Sequence, residues 1–224
     1  LVSERKGSSS IGIDSGNIRY YGADPNNYVY FNCNSYNSQN SSSCEKWRII
    51  GVFDGKLKLI RSGSIGTYAW DNKNTSSGAS TAYGESDWSN ARLMKLMNSG
   101  FYEHRNNLKI DSGLYYNASS GYCYAGAGNA TKSCSFTTTG LKNNITRYMI
   151  ASAHWNLGGT SSKTLYANQL YTSERGTAVY SGHTTMWQGK VALPYASDYA
   201  YAAAFGHGSS LLCSSNINSY SSTN

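Results

Sequence analysis

The sequence predicts an α+β fold: a mixed, mostly antiparallel sheet with two main helices and long disulfide-stapled loops. Three observations carry this. Short β-branched and aromatic runs alternate with Asp, Asn and Gly turn signals, two stretches place apolar residues at helical spacing, and five cysteines include two pairs that each bracket a polar loop. Strands and helices intermingle without a βαβ alternation, which separates α+β from α/β. No internal repeat is present, and no composition break divides the 224 residues, so 1–224 reads as one domain.

Along the chain, residues 18–21 and 28–31 read as short strands on either side of the turn Asp24-Pro25-Asn26-Asn27. The run Lys46-Trp47-Arg48-Ile49-Ile50-Gly51-Val52-Phe53 is a strand, Asp54-Gly55 a two-residue turn, and Lys56-Leu57-Lys58-Leu59-Ile60-Arg61 the returning strand of a β-hairpin. Alternation puts Leu57, Leu59 and Arg61 on one face of the second strand and Lys56, Lys58 and Ile60 on the other, with a single face covered. Ser86 or Asp87 can cap a helix over 88–97, ended by Asn98-Ser99-Gly100. Residues 114–136 form an irregular stapled excursion. A second helix over 141–155 follows from Leu141, Ile145, Tyr148, Met149, Ser152 and Trp155, and its apolar face is expected to pack on the sheet. Residues 165–171 and 184–193 read as strands, and 197–202 as a short helix capped by Ser197.

Cys33 and Cys44 bracket one polar loop and Cys123 and Cys134 another, so each pair is expected to staple a segment too polar to hold itself by burial. Each closure stabilises the fold by about 3 kcal/mol in the chain-entropy model. Cys213 is left unpaired, and its partner is expected in a segment beyond residue 224. The alternatives are other pairings of five cysteines, or five unrelated buried thiols; no C-x-x-C spacing points to zinc or redox chemistry.

Only 14% of residues are charged, so solubility rests on Ser, Asn, Thr and Gly, a balance that fits an extracellular surface. The net charge of +7 raises a nucleic-acid partner, but the basic residues are scattered, and Lys56-Leu57-Lys58 with Arg61 reads as a solvated strand face. Nucleic acid is therefore not an expected partner. No apolar run spans a bilayer, and Leu1 is not an initiator methionine, so the chain reads as a processed piece whose membrane anchor, if any, lay upstream. Residues 1–17 are expected to be flexible or linking. Five N-x-Ser/Thr sequons are what so Asn- and Ser-rich a chain yields by chance.

Three stretches together carry a resemblance. They are Pro25-Asn26-Asn27-Tyr28-Val29-Tyr30-Phe31 leading to Trp47-Arg48-Ile49-Ile50-Gly51-Val52-Phe53, then Lys58-Leu59-Ile60-Arg61 with Trp70-Asp71, then Glu174-Arg175-Gly176 leading to Trp187-Gln188-Gly189-Lys190-Val191 and Ser197-Asp198-Tyr199. The chain resembles a group of secreted gut-bacterial proteins, some of them pilin-type with an upstream membrane helix. The resemblance implies further C-terminal strands, and in their absence an open sheet edge suited to self-assembly. A second resemblance is to C-type-lectin-like surface modules, although the Glu-Pro-Asn and Gln-Pro-Asp triplets of calcium-dependent sugar binding are not found.

Catalytic chemistry has thin support. His104, His154, His183 and His207 lack the spacing that sets two imidazoles on one helix face. Gly206-His207-Gly208-Ser209-Ser210 lacks the order of a nucleophile elbow. Asp54, Asp71, Glu85, Asp87, Glu174 and Asp198 leave open a hydrolase using paired cleft carboxylates, with Glu174 and Asp198 the pair to test. Turns at Asp24-Pro25-Asn26-Asn27 and Asp71-Asn72-Lys73-Asn74 are explained by Asx geometry without calcium. No cofactor, metal or catalytic residue is expected. The twenty Tyr and five Trp suit a contact surface. The expected function is that of an extracellular bacterial surface or pilus-like module, acting in adhesion or filament assembly and binding a glycan or host-surface ligand rather than acting as an enzyme. Its candidate ligand rings are Tyr115, Tyr116, Tyr122, Tyr124, Tyr199 and Tyr201.

Overall fold

The computed structural model describes residues 2–3, 17–20, 26–71, 84–99, 103–105, 108–110, 113–124, 131–162, 165, 167–179 and 182–204. Cys213, His207 and the Gly206 to Ser210 motif lie outside them. The described part is mixed α+β with antiparallel pairing throughout.

The main sheet is organised around β4 (Glu45–Phe53). On one edge of β4 lies β5 (Lys56–Arg61); on the other, β3 (Tyr28–Phe31) and β2 (Ile18–Arg19) line up end to end. β1 (Val2–Ser3) adds to β2, so part of the segment expected to be flexible is paired. Asp54 and Gly55 both take left-handed φ, 49° and 71°, which is the backbone a two-residue hairpin turn demands. A bulge between Ile49 and Gly51 shifts the β4–β5 register. The covered-face expectation for β5 is overturned: Leu57 is 61% exposed, while the Lys58 side chain is held under the sheet by a carboxylate and three rings.

Three further antiparallel pairs complete the described strands: β6 (Glu103–Arg105) with β7 (Leu108–Ile110), β8 (Ser120–Tyr124) with β9 (Thr131–Ser135), and β10 (Ala153–Asn156) with β11 (Met186–Gly189), the last pair joined across the chain rather than by a turn. The excursion over 114–136 thus carries a paired, disulfide-linked strand couple, β8 with β9, where irregular chain was expected. Both expected disulfides, Cys33–Cys44 and Cys123–Cys134, form.

There are four short helices among the described residues, not two main ones. α1 (Arg92–Met97) starts four residues later than expected, because Asp87 accepts from Ser89 N (2.8 Å) and shapes a separate turn. The carbonyl of Trp70 takes up Leu93 N at the start of α1. α2 (Asn144–Met149) is capped by Asn143, whose Oδ1 accepts from Thr146 N at 2.9 Å. It stops at an extended Ile150, and the expected continuation is β10, drawn into pairing with β11 at Trp155 opposite Trp187. Nor does its apolar stripe pack on the sheet: Ile145, Tyr148 and Met149 are exposed. The stretch expected as a strand over 165–171 is the start of α3 (Ala167–Glu174), which packs on α4 (Ala196–Ala204) through Ala167, Leu170, Ala200 and Tyr201.

The main core gathers α1, the 114–141 segment and Trp187. Phe136 is fully buried, with Tyr68 at 5.1 Å and Tyr115 edge-on at 5.8 Å between ring centroids. Gly140 passes so close to this core that a Cβ would stand 2.5 Å from the Tyr115 carbonyl oxygen, so only glycine fits.

Candidate functional site

β8 and β9 form a ladder whose two faces differ sharply. Cys123 is buried and Cys134 half-buried on the inner face, where their disulfide cross-links the hairpin. Ser120, Tyr122, Ser133 and Ser135 occupy the alternate positions and are all exposed. Tyr122 stands opposite Ser133, and Ser120 opposite Ser135. Ser120 Oγ donates to Ser135 Oγ at 2.9 Å, and Ser135 Oγ bonds Thr137 Oγ1 at 3.0 Å. Ser120, Tyr122, Ser133 and Ser135 line a shallow, open patch of the surface. A covalently braced strand pair therefore presents one half-exposed aromatic ring beside a row of hydroxyls, each able both to donate and to accept.

The six candidate tyrosines are not brought together. Tyr115 and Tyr116 are buried in the main core, and Tyr116 Oη accepts from Lys190 Nζ at 2.9 Å. Tyr201 is buried against Tyr171 between α3 and α4. None of these three leaves a ring face for a ligand. Tyr124 ends β8. Tyr122 and Tyr199 are exposed, at 56% and 71%, on β8 and α4 respectively.

Two ionisable clusters emerge that sequence spacing does not show. Asp198 on α4 is nearly enclosed: its Oδ1 accepts from Arg19 Nη1 at 3.2 Å, and its Oδ2 from Lys58 Nζ at 2.5 Å and Tyr195 N at 2.9 Å. The Lys58 ammonium lies 4.3 Å from the Tyr195 ring centre, 5.2 Å from Trp155 and 5.4 Å from Phe53. Arg19 stacks 4.5 Å from both Phe53 and Tyr201. Burial pulls the Lys58 amine below its ordinary value against the opposing pull of Asp198, and pushes the Tyr195 phenol up to about 12. Glu174, at the end of α3, accepts from Ser197 N (2.8 Å) and Ser197 Oγ (2.5 Å), so it fixes the first turn of α4. It also pairs with Arg175 at 3.6 Å. The two carboxylates of the hydrolase alternative are thus neighbours, with Asp198 engaged by two cations and Glu174 by a helix start.

Burial raises the Glu174 carboxyl above its ordinary value, although the Ser197 bonds act the other way. A carboxyl whose folded value exceeds its unfolded value favours the fold fully below the unfolded value, and that contribution is lost as pH rises through the folded one. Glu174→Gln cannot ionise. Thermal midpoints of both proteins from about pH 4 to about pH 8 are expected to diverge in the variant's favour as pH rises, and parallel profiles would refute the burial effect.

The second cluster sets His183 Nδ1 3.4 Å from Glu85 Oε1 and 3.3 Å from Asp87 Oδ2. Beside it Trp88 contacts Trp70 and Trp187, and Glu85 N donates to Asp71 Oδ2 at 2.7 Å. Among the described residues no group of three His, Cys, Asp or Glu side chains can hold a metal ion, and no helix is long and apolar enough to cross a membrane.

Buried and half-buried asparagines also organise the surface, and no sequence signal marked their partners. Asn32, at φ 52°, donates to Gly140 O and accepts from Lys142 N, both at 2.7 Å, and Asn143 Nδ2 donates to Cys33 O at 2.5 Å. Together they dock the first stapled loop on α2. Asn98 clamps Val191 through both backbone groups, at 2.8 and 3.0 Å. The two disulfides point to an oxidising setting. No family model matches the chain, and no significant match is found among curated proteins or solved structures.

Proposed function

We propose that the chain is an extracellular bacterial surface module that acts in adhesion, gripping glycan through the outer face of β8 and β9. The observation that supports this reading is the exposed Tyr122 ring among Ser120, Ser133 and Ser135 on a disulfide-braced hairpin. A pyranose presents an apolar C–H face that stacks on an aromatic ring, and hydroxyls whose mixed donor and acceptor character serine matches. Bracing by Cys123–Cys134 lowers the ordering cost of binding. Low charge and the other stapled loop, closed by Cys33–Cys44, agree with a surface setting. The resemblance to secreted pilin-type and C-type-lectin-like proteins belongs to the same proposal.

A glycan array followed by Tyr122→Ala tests it. Binding is expected to weaken at least about tenfold, or about 1.4 kcal/mol, with an unchanged thermal midpoint because the ring is mostly solvated. Undiminished binding by Tyr122→Ala would remove the hairpin from the site, and undiminished binding by Tyr122→Ala/Tyr199→Ala would remove both exposed candidate rings.

A further inference from the structure

Lys58 and Asp198 are separated by 140 positions in sequence and meet at 2.5 Å in a nearly closed chamber. The Lys58 side chain is 14% exposed and that of Asp198 3%. Phe53, Trp155 and Tyr195 surround the ammonium, and Arg19 reaches the far carboxylate oxygen. The other ion pairs described use Arg or His. Here a primary amine, the one side-chain cation that becomes a good acyl acceptor on losing its proton, is pressed against a carboxyl group away from water.

We propose that Lys58 Nζ and Asp198 Cγ join spontaneously as an intramolecular amide, covalently tying β5 to α4. The reaction is a condensation without redox change. The Lys58 ammonium first passes a proton to Asp198 Oδ2, giving a free amine and a neutral acid. Nζ then attacks Cγ, the C–N bond forms, and the carbonyl electron pair moves onto Oδ1, where Arg19 Nη1 receives the developing charge. A second proton moves from Nζ to the Oδ2 hydroxyl, the Cγ–Oδ2 bond breaks, and water leaves as the carbonyl re-forms. One amine and one acid yield one amide and one water.

Three physical terms favour this sequence. Removal from water disfavours the charged pair relative to the neutral one, and burial already draws the Lys58 amine toward its reactive form. Fixed juxtaposition supplies an effective concentration of about 10⁵ M or more, which offsets the unfavourable condensation of free amine and acid in water. Finally, the carboxyl is held from both sides: Arg19 and Tyr195 N fix its oxygens, and Glu174 fixes the helix start through Ser197. Arg19 assists the addition from its place on Oδ1. Glu174 is a positioning residue here, acting through α4.

The test is the intact mass of the natively folded, oxidised full chain, followed by reduction, proteolysis and fragment sequencing. The expected result is a mass lower by one water than the chain with its disulfides, and a branched peptide joining the Lys58 and Asp198 segments that survives reduction. Lys58→Arg keeps the charge but cannot form this amide, and is expected to show the full mass. The wild-type measurement is decisive even if that variant misfolds. A full wild-type mass overturns the proposal, and so does a water loss that maps to a succinimide at Asp54-Gly55 instead of a branched peptide.

Discussion

Asp198→Ala is expected to destabilise the fold by about 3–5 kcal/mol, the cost of stranding buried charge. Asp198 is 5% exposed and is the carboxylate shared by Arg19 and Lys58, themselves buried or nearly so. Removing it leaves two cations against aromatic rings with their nearest counter-charge gone, and also frees Tyr195 N at the start of α4. Those rings offer part of a replacement through their negative faces, and where Lys58 and Asp198 have joined as an amide in the wild type, loss of that tie adds to the figure. The readout is the urea midpoint with disulfides intact. Adding Lys58→Met to Asp198→Ala is expected to restore part of the loss, since one stranded charge is then replaced by an apolar chain of similar length. A midpoint unchanged in Asp198→Ala would show that the cluster is solvated.

Phe136→Ala is expected to cost about 3–5 kcal/mol through lost burial and an unfilled cavity. The ring has no exposed surface and is held by Tyr68 and Tyr115, while its backbone is bonded to Ser119 O and, through its carbonyl, to Gly140 N. The neighbours cannot collapse inward easily, because Gly140 and Tyr115 are fixed by backbone bonds on the other side of the same space. Phe136→Leu is expected to lose much less. The same urea titration ranks the two, and equal midpoints would place Phe136 outside the core. Because this ring follows β9 into the core, Phe136→Ala is also expected to weaken the proposed glycan binding without removing a contact residue.

Much of the architecture was legible from local patterns. Asp54-Gly55 between a β-branched, aromatic run and an alternating polar and apolar one identified the central hairpin, and the two eleven-residue cysteine spacings identified both disulfides. Of the site, Tyr122 was named as a candidate, but nothing local separated it from Tyr115, Tyr116 and Tyr201, which are core rings. Tyrosine satisfies both environments, so composition cannot sort them. Alternation along β8 and β9 does: Ser133 stands opposite Tyr122, with Ser120 and Ser135 on the same face, and the other face includes the cysteines.

What sequence alone determined was the α+β class, the two stapled loops and the β4–β5 hairpin, because a tight turn or a short disulfide loop sets its own geometry. Tertiary structure decided the rest. The helical pattern over 141–155 broke into α2 and β10 since Trp155 gains a ladder opposite Trp187, and the short run at 165–171 became helix because α4 gives Ala167 and Leu170 an apolar surface. Lys58 read as a solvated lysine until a carboxylate 140 positions away and three rings enclosed it. Propensity acts over a few residues, whereas burial and charge pairing depend on chain segments that only the complete fold brings together.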